Sequence, residues 1–348
     1  MLKTAIFGAS GYAGQELTRL LHNHPEAEIV MLGSRSLKGE YHSSSFNSMG
    51  NPFAYRFEES DIRTAADKAD LVFLALPHGA AADMISIEIL DSAKIIDLGA
   101  DFRLRSLSDY REWYHLDHPG GSVHEEAVYG LCELYRDRIA LARLVANPGC
   151  YTTCSILSLA PLLNSSLIED REPIIIDAKS GVSGAGRASS RQFHYPECNE
   201  SIKAYKIGAH RHTPEIEQEL SLAAGKPVRV QFTPHLVPMN RGILITAYCR
   251  PLEGISAGDI EEAYRDFYRN EPFVRIFGPD EGLPETRWVK GSNRCDIGFH
   301  LDSRTGMLII IGAIDNLVKG AAGQAVQNMN LLYNLPEAMG LTDYAIFP

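Results

Sequence analysis

The sequence predicts an α/β protein of two domains, a doubly wound domain built on a parallel sheet and an α+β domain built on a mainly antiparallel one. Three observations predict it. Short apolar strands alternate with helical stretches through the first half of the chain. A glycine-rich turn, Gly8-Ala9-Ser10-Gly11-Tyr12-Ala13-Gly14, joins the first strand to the first helix. From about Pro173 the texture changes to longer β-rich runs with few helical segments between them.

In chain order, the first domain should show a strand over Thr4–Gly8, a helix from Gly14 to about His24, strands over Glu28–Leu32 and Leu71–Leu76, a helix near Ala80–Leu90 and a strand over Lys94–Leu98. Between them, Gly39–Asn51 is rich in Ser, Gly and Asn and reads as a mobile loop. The second domain should show strands over Ile174–Ala178, Val228–Thr233, Gly242–Cys249, Cys295–Leu301 and Met307–Ala313. Leu317, Val318, Ala321, Ala322, Ala325, Val326, Met329 and Leu332 recur at helical spacing, so the chain should end on an amphipathic helix that returns to the first domain. The expected division is therefore 1–149 plus 314–348 for the first domain and 150–313 for the second.

Composition narrows the function. A chain of 348 residues with 45% hydrophobic content can bury two ordinary cores. A formal charge of −11 argues against a nucleic-acid partner, because a phosphate backbone demands a basic face. Met1–Phe7 runs straight into a strand, no stretch of about 18 uncharged apolar residues occurs, and six scattered cysteines suit a reducing compartment. The expectation is a cytoplasmic protein with no membrane partner.

Gly8, Gly11 and Gly14 stand where a Rossmann-type fold needs the backbone to approach a pyrophosphate at a helix N-terminus, so the turn Gly8, Ser10, Gly11, Tyr12, Ala13 and Gly14 is a cofactor-binding candidate. An NAD-selective site offers Asp or Glu at the end of the second strand; this chain offers Gly33-Ser34-Arg35. A hydroxyl and a guanidinium suit a 2′-phosphate, which points to NADP(H) through Ser34 and Arg35. Leu76, Pro77 and His78 close another strand at the same edge of the sheet and belong to the same candidate set.

Cys150 lies in Asn147-Pro148-Gly149-Cys150-Tyr151-Thr152-Thr153, after a sharp turn and before the helical run Ser155–Ala160. A thiol near a helix N-terminus is biased toward thiolate, the attacking form. Taken alone it reads more readily as a packed cysteine. His210-Arg211-His212 precedes a further helix and supplies two imidazoles for proton chemistry. No CxxC pair or HExxH helix accompanies them, so a metal is not expected from His210, His212, His235, Cys150 and Cys154. Cys150 and Cys154 share a helix face, but a packed Cys154 accounts for that spacing better than a redox pair.

These stretches carry a resemblance over essentially the whole chain. GASGYAG, LGADFRL (98–104), NPGCYTT, KSGVSGAGR (179–187), HRHTPE, FTPHLVPMNRGI (232–243) and AIDNLVKGAAGQAVQN (313–328) make the sequence similar to the N-acetyl-gamma-glutamyl-phosphate reductases, relatives of aspartate-semialdehyde dehydrogenase. Thr152-Thr153-Cys154 departs from the pattern, where Pro at 152 and a small residue at 154 are expected, and leaves the nucleophile untouched. The resemblance implies NADPH-dependent reduction of an acyl phosphate, with release of inorganic phosphate, through a thioester on Cys150. It implies His210 as acid/base, with His212 as the nearer rival or a substrate-binding residue, and Arg103, Asn147 and Ser180 as substrate-binding residues. It also implies that the Gly-rich segment 180–187, with Gly184, closes over substrate or nicotinamide, that Asn316 holds the carboxamide or caps the last helix, and that the chain assembles as a homodimer or homotetramer. Carrier-linked aminoadipyl phosphate and aspartyl phosphate are the rival substrates. A silent NADPH-binding regulator is the rival of another class, and it would lack the nucleophile that this chain keeps.

Overall fold

The computed structural model describes residues 1–46, 55–169, 172–342 and 344–346. The chain divides into two compact units, Met1–Pro148 with Ala321–Leu341, and Gly149–Gly320 with the chain end from Thr342.

The first unit carries β1 (Leu2–Phe7), β2 (Ala27–Gly33), β3 (Phe57–Glu58), β4 (Leu71–Leu74), β5 (Lys94–Asp97), β6 (Ala127–Tyr129) and β7 (Leu144–Ala146). They form one parallel sheet in the order β3-β2-β1-β4-β5-β7-β6. β4 is an unbroken apolar run, and β1 and β5 carry the apolar stretches Ala5–Phe7 and Ile95–Ile96, because both faces are covered. Leu17, Leu20 and Leu21 of the helix Tyr12–His22 and Ala325, Val326 and Met329 of the last helix fill one side. Ala65, Ala66, Ile89 and Leu90 fill the other. Strand order reverses between β1 and β4, so the carboxyl ends at Phe7 and Leu74 open the crevice where doubly wound sheets take their ligands.

Two local expectations are corrected. The helix expected near Ala80–Leu90 is confined to Ile87–Ser92. Upstream, Gly79 takes φ +82° and the Asp101 carboxylate accepts the N–H groups of Gly79, Ala81 and Ala82 at 2.6, 2.9 and 3.1 Å, which fixes the segment as turns. In the supposed loop 39–51, His42–Ser45 forms a helical turn and Tyr41 bridges Arg56, while 47–51 lie outside the described residues.

The second unit carries β8 (Ile174–Ser180), β9 (Lys203–Ala204), β10 (Val230–Leu236), β11 (Ile243–Cys249), β12 (Val274–Phe277), β13 (Cys295–Asp302) and β14 (Met307–Ile314). Their order is β12-β13-β14-β11-β8-β10-β9, antiparallel except for the pairs β8/β10 and β12/β13. The helix Cys150–Asn164 packs on this sheet and is buried from Tyr151 to Leu163, which is why it lacks a polar face. Pro161 cannot donate to the Leu157 carbonyl four residues earlier, and the Tyr268 hydroxyl donates to it instead at 2.6 Å. Gly312 of β14 lets the helix close in: a Cβ there would stand 2.3 Å from Ser158 Oγ and 3.0 Å from Cys154 Sγ.

The terminal helix begins differently from expectation. Val318–Ala322 forms a π-helical turn, closed by Gly320 N–H donating to Asp315 O at 3.0 Å, and the regular helix is Gly323–Leu332. Such turns concentrate at functional positions, and this one places Gly320 against Cys150.

Candidate active site

In the first unit, Gly8 adopts φ +72°, and a Cβ on it would stand 2.1 Å from the Ala75 carbonyl oxygen. A Cβ on Gly14 would stand 2.3 Å from the Gly8 carbonyl. Both close approaches exclude a side chain and leave backbone N–H groups lining the turn. Gly11 is the N-cap of the helix Tyr12–His22, Tyr12 is exposed and Ala13 half-buried, so the start of that helix is open to an anion. Ser10 Oγ and Ser34 Oγ are 2.9 Å apart, tying this turn to the end of β2. Arg35 beside them is exposed, with no partner among the described residues. The donor set therefore fits a dinucleotide: backbone amides for a pyrophosphate, then a hydroxyl and a guanidinium at the ribose edge.

Leu76, Pro77 and His78 follow β4, with the His78 ring 5.5 Å from the Tyr114 ring in a T-shaped contact. Arg103 is 6% exposed, and its guanidinium donates from Nε to Asn147 O and from Nη2 to Leu98 O, both at 2.8 Å. One donor thus braces the backbone before the Pro148 turn and the other the chain just past β5. Asn147 is fully buried; its Nδ2 donates to Ala321 O at 3.1 Å and its Oδ1 accepts from Asn328 Nδ2 at 3.0 Å. That amide ties the turn to the start of the last helix.

In the second unit, Cys150 is the first residue of its helix and Gly149 the N-cap. A Cβ on Gly320 would stand 2.7 Å from Cys150 Cβ, so the missing side chain at 320 sets the seat of the thiol. The Glu215 carboxylate, fully buried, accepts Gly149 N–H at 3.0 Å and lies 2.9 Å from Thr152 Oγ1. Glu215 belongs to the helix His212–Ala224, so it binds the cysteine helix to the one that presents the imidazoles.

His210 sits in an aromatic cage, with ring centroids 4.8 Å from His212, 5.7 Å from Tyr151, 5.5 Å from Tyr205 and 5.3 Å from Phe232. Burial, and then the cations Lys206 and Arg211, push its pKa down to about 3. Its Nδ1 accepts the His212 backbone N–H at 3.2 Å, which assigns the hydrogen of the neutral ring to Nε2. Tyr205, pushed up to about 12 by burial, and Tyr151, raised further by burial, also feel the charge of Cys150. The two hydroxyls are 3.4 Å apart.

The Gly-rich segment forms a 3-10 turn, Val182–Ala185. Ser180 Oγ, buried at the end of β8, donates to Gly181 O at 3.0 Å, and a Cβ on Gly184 would meet it at 3.0 Å. Asn316 holds the segment down: its Oδ1 accepts Gly242 N–H at 2.8 Å and its Nδ2 donates to Ser183 Oγ at 3.0 Å. Asp315, before it, holds the entry to the π turn: its Oδ1 accepts from Leu317 N and Val318 N at 2.8 and 3.1 Å.

Comparison with known proteins matches this arrangement. The family described as "Semialdehyde dehydrogenase, NAD binding domain" matches residues 3–142, and the one described as "Semialdehyde dehydrogenase, dimerisation domain" matches 150–316. The N-acetyl-gamma-glutamyl-phosphate reductase of Lachnospira eligens is 51% identical over 100% of both chains, and that of Campylobacter jejuni is 52% identical over 99% of both. The chain belongs to the N-acetyl-gamma-glutamyl-phosphate reductase family. Its fold is shared more widely. Aspartate semialdehyde dehydrogenase II of Vibrio cholerae superposes with a TM-score of 0.72 at 19% identity, covering 96% of this chain and 99% of that one. The Candida albicans aspartate semialdehyde dehydrogenase crystallised with NADP gives 0.66 at 16%, covering 96% and 98%. The first unit is thus a nicotinamide-dinucleotide-binding domain and the second an oligomerisation domain.

Seen as a member of this reductase family, the chain has site residues that the sequence alone did not single out. Glu215, Tyr151 and Tyr205 meet around the Cys150 turn only through the fold, although Glu215 closes the HRHTPE stretch that flagged the histidines. Asp315 precedes the Asn316 that drew attention instead. His235 Nδ1 lies 3.0 Å from Asp177 Oδ1, and Cys154 hydrogen-bonds Cys295. No group of three or more His, Cys, Asp or Glu converges on a point among the described residues. No helix among them is long and apolar enough to cross a membrane.

Proposed function

We propose that this chain catalyses the NADPH-dependent reductive dephosphorylation of N-acetyl-L-glutamyl 5-phosphate to N-acetyl-L-glutamate 5-semialdehyde, in the cytoplasm, as a step of arginine biosynthesis. The observation that carries this reading is Cys150 at the first position of a buried helix, seated on Gly320 and felt by Tyr151 and Tyr205, whose rings pack on His210.

Cys150 sulfur attacks the acyl carbon of the phosphorylated substrate, forming the C–S bond of a thioester and breaking the bond to the phosphate oxygen. The thiol proton is the one the departing phosphate takes up, and the two histidines, with ring centroids 4.8 Å apart, are the groups available to pass it on, His210 as the acid/base and His212 as its rival. Bound NADPH supplies the hydride that reduces the thioester. The resulting oxyanion on the Cys150 adduct collapses to aldehyde and thiolate without needing a proton on carbon or oxygen. A neutral His210 presenting Nε2–H is suited to that oxyanion as a hydrogen-bond donor. Arg103 supplies positive charge to the anionic substrate, and Ser180 and Asn316 hold the 180–186 segment in place. Ser34 and Arg35 favour NADPH over NADH.

The partner is a second copy of the chain. One face of the second sheet is covered by helices, whereas the other aligns Ile175, Tyr248 and Ile309 in a half-exposed to exposed apolar row, the kind of surface an oligomer covers.

The test is phosphate-dependent reduction of NADP⁺ with N-acetylglutamate semialdehyde, in wild type and Cys150→Ala. Activity that disappears in the variant supports the thioester route; activity that survives refutes it. Wild type that ignores this substrate but turns over carrier-linked aminoadipate semialdehyde or aspartate semialdehyde would move the assignment to that substrate.

A further inference from the structure

Asp97 ends β5 with its side chain fully buried. Its Oδ1 accepts Gly99 N–H at 2.8 Å, while Oδ2 has no hydrogen-bond partner among the described residues. The Asp101 N–H polarises the same carboxyl without closing a good bond. A Cβ on Gly99 would stand 2.9 Å from Oδ1 and 3.3 Å from Oδ2, so the turn is built directly over this carboxyl.

Asp101, four residues on, is coordinated differently. It accepts Gly79 N–H, Ala81 N–H, Ala82 N–H and the Tyr110 hydroxyl, the last at 3.0 Å. Four donors are the coordination of an ionised carboxylate. The charged groups that bear on Asp97 are Asp101 and Arg103, with the Tyr110 hydroxyl facing it from the helix Leu107–Tyr114. One guanidinium and two buried carboxyls balance only when one carboxyl is neutral, and the arrangement of donors selects Asp97.

We propose that Asp97 is a positioning residue that works as a neutral carboxylic acid, keeping the Leu98–Arg103 turn cationic enough to receive the anionic substrate and releasing that hold when it ionises. Burial, reinforced by Asp101, lifts its pKa to about 7, so the change falls inside the working range of an intracellular enzyme. The mechanical link is on the same strand ends: Asp97 O accepts Asn147 N–H at 2.8 Å, and Arg103 Nε returns to Asn147 O at 2.8 Å. A negative charge on Asp97 has no donor for Oδ2, and it opposes both Asp101 and an incoming anion. The proposal rests on Arg103 serving the substrate as set out above.

The experiment compares wild type with Asp97→Asn, whose amide imitates the neutral acid. Initial rates with the acyl phosphate are read from pH 6 to 8.5, and taking the ratio of the two KM values cancels the titration of the substrate itself. The expected result is a wild-type KM that rises severalfold relative to the variant above pH 7, with the kcat ratio constant. An infrared titration of wild type should show the carbonyl stretch of a protonated acid at pH 6, fading toward pH 8.5 and missing from the variant. A flat KM ratio, or no such band at pH 6, overturns the proposal. If wild type turns over no acyl phosphate at any pH, the functional reading fails instead, and the infrared titration still decides the proton.

Discussion

Glu215 Oε1 accepts the backbone N–H of Gly149 at 3.0 Å, so the residue capping the cysteine helix is held by the helix that His212 opens. Truncation in Glu215→Ala strands a buried N–H and releases Thr152 Oγ1 from its carboxylate. The expected loss is about 1–3 kcal/mol of unfolding free energy, read by urea denaturation. Glu215→Gln keeps the acceptor and should lose clearly less. Equal losses in both would show that the carboxylate charge, and not the bond to Gly149, holds the two helices.

His210 is expected to act through Nε2–H, so a side chain with a donor at that reach should substitute in part. His210→Gln should keep more kcat than His210→Ala, by about tenfold, the worth of one hydrogen bond to a charged group. Equal activity in the two variants would remove the donor role.

The depressed pKa of His210 has a stability consequence with a definite sign. Its folded value of about 3 lies below the unfolded 6.5, so between these the unfolded chain binds more protons. Its contribution is present above pH 6.5 and is lost as pH falls toward 3. Urea unfolding at pH 5 against pH 7 should therefore show a smaller drop for His210→Gln than for wild type; an equal drop contradicts the assignment.

Asp97 runs the other way. Its folded value of about 7 lies above the unfolded 3.8, so the folded state holds the extra proton in that window. Its stabilising proton is fully in place below pH 3.8, and stability falls as pH rises toward 7, by at most about 1.4 kcal/mol per pH unit. Wild type minus Asp97→Asn, measured by urea unfolding, should decline between pH 4 and 7 and level off beyond; a rising difference would reject it.

Arg35 is exposed beside Ser34 at the end of β2, where the proposed function puts the cofactor's ribose edge. Arg35→Ala should weaken NADPH binding about tenfold, as expected for one charge-assisted hydrogen bond, and leave NADH nearly unchanged. Titration by nicotinamide fluorescence checks it. Equal weakening of both cofactors would remove the 2′-phosphate contact.

Much of this fold is written locally. Gly8, Gly11 and Gly14 between two apolar periods announce a strand, a turn and a helix without reference to anything distant, and the structure sets them there. The same holds for Cys150 at the head of its helix. What was not legible depends on residues far apart in sequence. The turns at 79–82 replace the expected helix because Asp101 captures their amides across about twenty residues. The Asn147 amide is spent on Ala321 and Asn328, a partnership that no window of sequence around it contains. Asp97 reads as an ordinary strand-end carboxylate until its burial is known. In the last helix the periodicity found the apolar side, but the helix is not amphipathic toward solvent: Gln324, Gln327, Asn328 and Asn330 on its polar side are fully buried as well. The π turn needs the bonds to Asp315 and the approach of Cys150 to Gly320, both products of packing.

Of the six cysteines, Cys132, Cys154, Cys198, Cys249 and Cys295 are buried as thiols, and Cys150 alone is partly open. A thiol-reactive dye added to intact protein would therefore report Cys150, the proposed nucleophile, at one label per folded chain. The same dye in denaturant would count every cysteine, so the ratio of the two readings measures how much of a preparation is folded and ready to turn over.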